Sequence, residues 1–238
     1  MSVAGSVALG LVWFDTLAAV RGAVVLTGGD AVIAAGSALA TTVSALATGG
    51  GVTATGDAGV GVSFALALVT HDTHALLADQ IALVGARDLT LAAAGVSRTA
   101  VRAQMGAKGG DVTVTPSIAI IVSNVRTTAV VGALASGPIA VSRNVTISAT
   151  QTTEARTTAD ASATGGSDAA IGVGFALTIA NHTVTSTLAR RIAAGGDVIL
   201  RAFSISGASA LAAASAAGAP ENEDSGDAAN PGGKPGTG

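Results

Sequence analysis

The chain repeats itself, and this repetition limits the folds it can adopt more than any other feature of the sequence. Residues 60–77 read VGVSFALALVTHDTHALL and residues 171–188 read IGVGFALTIANHTVTSTL, an offset of 111 residues without a gap. The positions identical in both copies are Gly61/Gly172, Val62/Val173, Phe64/Phe175, Ala65/Ala176, Leu66/Leu177, His71/His182 and Leu77/Leu188. A fixed period indicates a repeat architecture, in which each unit packs mainly against its neighbours.

Further copies at about half this offset divide the chain into four units. Residues 7–20 align with 64–77, and residues 118–131 form a more degenerate copy. A second landmark, an acid or amide before a short apolar run, follows each copy at Asp30, Asp88, Asn144 and Asp197. We therefore predict four units of about 55 residues, at 3–58, 59–116, 117–168 and 169–217.

The local pattern inside the units is typical of β-strands. Val60, Val62, Phe64, Leu66 and Leu68 alternate with small residues, and a period of two is the signature of a strand. We also expect strands in the alanine-rich stretches 31–40 and 208–219, because they occupy repeat positions that are rich in threonine elsewhere. We expect Val, Ile and Leu to fill the core, while Ala, Ser, Thr and Gly allow the backbones to approach closely.

These features predict an all-β fold, a β-solenoid resembling a parallel β-helix, over residues 1–217. Strands usually run about 3–10 residues, so a unit of this length supplies either two or three coils or one wide coil with long strands. The end of the chain, residues 218–238, holds three of the five Pro residues and four acids. It is expected to be a disordered tail or linker.

Composition narrows the function. The chain has no Cys, 2% aromatic and 11% charged residues, and a net charge of −3 without a basic patch, which argues against nucleic acid as a partner. The apolar stretches are about a dozen residues long, too short for a membrane-spanning helix. No signal peptide is visible. We expect either a cytosolic protein or, favoured by the linker-like end, a piece of a longer secreted polypeptide.

The units resemble the repeats of large bacterial filamentous adhesins of the leukotoxin-like and haemagglutinin-like kind. The similarity lies in a Gly-small-Val opening, an alternating apolar run, an Asn/His/Asp-Thr step and a closing Gly-Asp-Val. These stand here at 61–66 with 71–73, and at 172–177 with 181–183 and 196–198. The resemblance covers residues 3–217 and implies a β-solenoid stalk exported to the bacterial surface. It brings no catalytic residues.

The candidate sites favour structural roles over chemistry. His71, Asp72 and His74 have metal-ligating side chains, but residues three apart on a strand face opposite sides, so we expect a surface or turn role. The Gly-Gly-Asp turns offer one carboxylate each, whereas Ca²⁺ prefers six to eight oxygens. We expect Arg190 and Arg191 in a solvated turn, and Trp13 with Phe14 as a plug at the end of the core. The sequence predicts no metal, no cofactor and no enzymatic activity.

The function expected from the sequence is that of a structural or adhesive repeat module at a bacterial surface or outside the cell. It would act as a stalk or a multivalent adhesion surface. The expected partners are neighbouring repeats, surface glycans or proteins, and further copies of the chain joined end to end. An alternative is a ligand-binding solenoid for carbohydrate or ice, suggested by Thr113, Thr115, Thr146, Thr152 and Thr153. A polysaccharide-cleaving β-helix ranks third, because it needs clustered Asp or basic groups on one face and the sequence shows no such cluster.

Overall fold

The computed structural model describes residues 1–47, 51–133 and 139–218 of the chain. Apart from Gly218, the predicted tail lies outside the described residues. Eight long strands of 16–22 residues make up most of the fold: β1 (Ser2–Val20), β3 (Ala31–Leu46), β5 (Ala58–Leu77), β7 (Leu89–Lys108), β8 (Val112–Val131), β10 (Val145–Gly166), β11 (Ala169–Leu188) and β13 (Val198–Gly218). Five short strands lie between them: β2 (Val24–Val25), β4 (Val52–Thr53), β6 (Leu83–Val84), β9 (Ile139–Val141) and β12 (Ile192–Ala194).

The long strands form two parallel sheets. Sheet 1 has the order β1-β5-β8-β11, and sheet 2 has the order β13-β10-β7-β3, with β4 also pairing with β7. The chain runs along sheet 1, passes through a turn, returns along sheet 2 and begins the next coil. Two short pairs, β2–β6 and β9–β12, lie in the turns on one side of the molecule. Each unit is therefore one wide coil with long strands, and the all-β solenoid prediction is confirmed.

Equivalent residues of successive coils stack in continuous rows. His71 pairs with Phe14 on β1 and with Val125 on β8, and Val125 pairs with His182 on β11. The same register aligns Ala31, Leu89, Val145 and Val198 in sheet 2. The alignment made from the sequence is thus the alignment of the coils. Both alanine-rich stretches are strands as well, within β3 and within β13 as far as Gly218.

The core between the two sheets changes character along the strands. At the end beside the short strands it is filled by large apolar residues, among them Leu77, Leu91, Val131 and Ile147, all completely buried. Toward the middle it is built mainly of alanine with a few Val and Ile side chains. The expectation that Val, Ile and Leu fill the core holds at the first of these places.

The expectation that Val, Ile and Leu fill the core is wrong for the first half of sheet 1. In β5 the small residues Ser63, Ala65 and Ala67 are completely buried, whereas Val62 and Leu68 are exposed. A period of two leaves open which of the two faces points inward, and here the small side chains point to the core. The reason is the close approach of the sheets: a Cβ atom added at Gly172 would lie 2.5 Å from the carbonyl oxygen of Ser215 on β13.

No helix in the described part of the chain is long and apolar enough to cross a membrane.

Candidate functional site

The histidines that resemble a metal site in the sequence lie apart in the fold. Asp72 and His74 are on the outer face of sheet 1, while His71 is completely buried between the sheets. The expected surface or turn position is therefore wrong for His71. Within residues 1–47, 51–133 and 139–218, no group of three or more His, Asp and Glu side chains could hold a metal ion.

Buried His71 takes part in a polar layer of the core. Its Nε2 lies 2.7 Å from Ser37 Oγ, and its ring meets the edge of the Phe14 ring with centroids 5.3 Å apart. Burial lowers the pKa of His71, and the charge of Asp72 opposes this effect in part. Among the described residues, no carboxylate hydrogen-bonds to the ring of His71, as one does in a Ser-His-Asp triad. The contact with Ser37 therefore fits packing of the core better than nucleophilic catalysis.

His182 occupies the same row two coils further on. Its Nδ1 lies 2.8 Å from Thr153 Oγ1 and 2.6 Å from Ser206 Oγ, and its Nε2 lies 3.3 Å from Ser123 Oγ. Burial lowers the pKa of His182 as well. Both histidines thus join strands of sheet 1 to strands of sheet 2.

The acids and amide of the second landmark connect the coils. The Asp88 carboxylate accepts a hydrogen bond from the backbone N–H of Asn144 at 3.0 Å, and the Asn144 side-chain oxygen accepts one from the backbone N–H of Asp197 at 3.0 Å. The Asp30 carboxylate accepts two hydrogen bonds from the Arg87 guanidinium of the second coil, at 3.0 and 3.1 Å, and these are the largest cause of its lowered pKa. We call these four residues the Asx ladder.

Arg190 does not lie in a solvated turn, contrary to the expectation for this residue. Its guanidinium donates hydrogen bonds to the carbonyl oxygens of Ala78 at 2.7 Å and Ile81 at 2.6 Å in the second coil, and to that of Gly132 in the third. Burial lowers the pKa of Arg190. This side chain of the fourth coil therefore clamps the turns of the two coils before it, and neither spacing nor composition marks it in the sequence.

Trp13 and Phe14 separate in the same way as the histidines. Phe14 faces the core and covers His71 at the first coil, which fits the expected plug, whereas Trp13 is 85% exposed on the outer face. Trp13 begins a polar row that continues through Thr70, Asn124 and Asn181.

The outer face of sheet 1 is apolar over about half of its length. We call the apolar field the residues Val60, Val62, Phe64, Leu66 and Leu68 of β5 together with the residues in register with them on β1, β8 and β11. The row through Phe64, for example, consists of Val7, Phe64, Ile118 and Phe175. Beyond the polar row of Trp13 comes a charged row of Asp15, Asp72, Arg126 and Thr183.

The outer face of sheet 2 is polar on its central strands β7 and β10, whereas its edge strand β13 exposes Ile199, Phe203, Ile205 and Leu211. Most of the charge on this face is cationic. Its outward side chains include five cations and two acids: Arg98, Arg102, Lys108, Arg156, Arg201, Glu154 and Asp160. A shallow depression of about 230 Å³ lies between Thr42, Arg98 and Arg156. Arg156 and Glu154, 3.9 Å apart, form an exposed ion pair at its edge. The clustering is invisible in the sequence because the cations come from three strands.

The threonines that suggested a flat binding ladder do not share a face. Thr113, Thr115 and Thr153 are buried between the sheets, and only Thr146 and Thr152 point outward on β10.

Comparisons with protein-family models, with curated proteins and with solved structures give no match to this chain. The resemblance to filamentous adhesins therefore stays a prediction from the sequence.

Proposed function

We propose that the chain is a structural and adhesive module of a bacterial surface or secreted protein, a stiff body that presents the same kind of surface many times. The observation that carries the proposal is the register of the coils. Each outward position on a long strand recurs in line on the neighbouring coils. If each recurring position makes a weak contact with the same partner surface, the contacts together give strong attachment through multivalency.

Stiffness is supported by the connections between coils. The parallel sheets, the Asx ladder and the Arg190 clamp all join a coil to the next or to the one after it. Such bonds oppose both bending and shearing of one coil against another. A body connected in this way suits a mechanical role better than a role that requires a mobile site.

Attachment can be tested with beads that carry the purified chain at high and low surface density. We expect retention on cell surfaces or extracellular matrix to rise more steeply than linearly with density, because many weak contacts act together. A chain with Arg98→Gln and Arg102→Gln serves as the variant of the polar face, and Asp57→Asn serves as a control in a turn. Retention that is strictly proportional to density, or absent at every density, would contradict the proposal.

A second candidate function is the binding of an acidic polysaccharide, and it is favoured by the cations on the outer face of sheet 2. Arg98 and Arg156 flank the depression, and guanidinium groups bind carboxylates and sulfates in bidentate fashion. Binding to a uronate-containing glycan should weaken with salt, and neutral dextran should not bind. Equal binding to both polymers, or binding unchanged by Arg98→Gln with Arg156→Gln, would remove this candidate.

A further inference from the structure

The apolar field has the size and flatness of a protein interface. With strands 4.8 Å apart and 3.3 Å per residue, it measures roughly 30 Å by 20 Å. A patch of this size is at the upper end for the surface of a single soluble chain, and patches of this kind mark interaction sites. Side chains on its two edge strands are well exposed: Val7 on β1 is 71% and Phe175 on β11 is 48% accessible.

From this field we propose that two copies of the chain pair face to face through the outer surfaces of their first sheets, about a two-fold axis parallel to the strands. Such an axis keeps the strand directions parallel, as is usual when two sheets pack on each other. It places each apolar row against the same row of the second copy. It also reverses the order of the coils, so that the second coil of one copy faces the third coil of the other.

The charged row next to the apolar field fits this arrangement. Asp72 lies in the second coil and Arg126 lies opposite it in the third, at the same height along the strands. The two-fold axis therefore brings Asp72 of each copy against Arg126 of the other, and the pair forms twice. Asp15 meets Thr183 in the same way. Like charges do not face each other anywhere in this row.

The polar row between them fits as well. Thr70 of one copy faces Asn124 of the other, and Trp13 faces Asn181. Apolar area and polar rim together approach the roughly 800 Å² per partner of a standard interface. A lipid surface suits the same face less well, because its charged row holds two aspartates and one arginine, whereas anionic membranes attract clusters of Lys and Arg.

Pairing through sheet 1 leaves both copies of sheet 2 facing outward. The dimer then carries the cations of sheet 2 on its two opposite sides, and the apolar field is removed from water. This inference does not depend on the proposed adhesive function, because attachment is tested on the outer face of sheet 2 and pairing on that of sheet 1.

The test is the molar mass of the full chain by light scattering and by sedimentation equilibrium at tens of micromolar protein. We expect a dimer for the wild-type chain. Asp72→Arg places two arginines against each other at two sites, and Arg126→Asp does the same with carboxylates. Each should weaken dimerisation at least tenfold. The double variant with Asp72→Arg and Arg126→Asp restores opposite charges and should return the affinity to within a few-fold of wild type.

Two further variants separate the pairing from general effects on the fold. Leu66→Lys, in the centre of the apolar field, should give a monomer whose circular dichroism is unchanged. Arg98→Asp, on the outer face of sheet 2, should leave the dimer intact. A monomeric wild-type chain would overturn the proposal, and so would a double variant no tighter than the single ones. A monomer that cosediments with phosphatidylcholine vesicles would assign the face to lipid instead.

Discussion

Leu68 and Val69 follow each other on β5 and lie on opposite sides of sheet 1: Leu68 is 40% accessible on the outer face, and Val69 is 1% accessible between the sheets. Both side chains are branched aliphatics of similar size, so hydrophobicity alone does not decide their placement. The small residues beside them decide it. Ser63, Ala65 and Ala67 share the inner face with Val69, and these small groups allow the two sheets to approach closely.

Close approach of the sheets predicts a large effect at Gly172. In Gly172→Ala, the added methyl group would lie 2.5 Å from the Ser215 carbonyl oxygen, and the strands must move apart. Overpacking of this kind costs about 1–3 kcal/mol of unfolding free energy, to be measured by urea denaturation. Gly36→Ala is the matched control, because its Cβ would have no neighbour within 4 Å. Equal stability of the two variants would contradict the close packing.

Loss of the Arg190 clamp should destabilise the solenoid. Arg190→Met keeps the length of the side chain but leaves the carbonyl oxygens of Ala78, Ile81 and Gly132 without this donor. We expect a loss of about 2–3 kcal/mol, since the hydrogen bonds are made by a charged group. Arg191→Met, at the exposed neighbouring residue, should change the thermal midpoint little. If the two variants have the same thermal midpoint, the clamp does not contribute to stability.

The Asx ladder should tolerate an acid but not an apolar residue at Asn144. Asn144→Asp retains an oxygen for the backbone N–H of Asp197, and Asp is the residue found at the other three positions of the ladder. Asn144→Leu removes that acceptor and should cost about 0.5–1.5 kcal/mol. Urea denaturation of both variants gives the comparison. A leucine variant as stable as the aspartate variant would mean that the backbone pairing alone holds the turns.

The two histidines that face the core, buried His71 and half-buried His182, predict a dependence of stability on pH. Burial lowers the pKa of His71 and His182 in the folded chain below the ordinary value of 6.5. The unfolded chain therefore binds more protons below that pH, and the unfolding free energy should fall as the pH is lowered from about 7.5 to about 5.5.

His71→Val introduces the residue that the third coil carries at the same position, Val125, and removes one of the two titrating groups. The slope of stability against pH should fall to about half, and adding His182→Val should remove most of the remainder. A slope identical in all three chains, measured by urea denaturation across this range, would place the imidazoles in water.

The sequence predicts well how the coils stack, but it predicts poorly which face of each strand points to the core. The repeat aligns His71 with Val125 and His182, and that alignment is also the hydrogen-bonded register, because parallel coils pair equivalent residues. Which side of a strand faces the core has no such marker. The alternation at Val60–Leu68 is equally compatible with either set of residues pointing inward. The usual preference for large apolar groups in a core predicts that the large residues point inward, which is wrong here.

The functional surfaces follow the same division. The positions of the Asx ladder are visible as a recurring acid or amide, although not the bonds that they make to the next coil. The cations of sheet 2 come together only because β7, β10 and β13 lie side by side. The role of Arg190 depends on a turn that brings it near carbonyl groups about 58 and 112 residues away, a relationship that local patterns do not contain.

The reactivity of single cysteines at positions 68 and 69 tests the inward and outward assignment most directly, because the chain has no cysteine of its own. Leu68→Cys and Val69→Cys are made in the chain with Asp72→Arg, so that a second copy does not cover the outer face, and are treated with a small thiol reagent under native conditions. We predict fast modification at position 68 and, at position 69, modification slowed by about 100-fold or more, because it requires unfolding. Faster modification at position 69 than at position 68 would contradict the account.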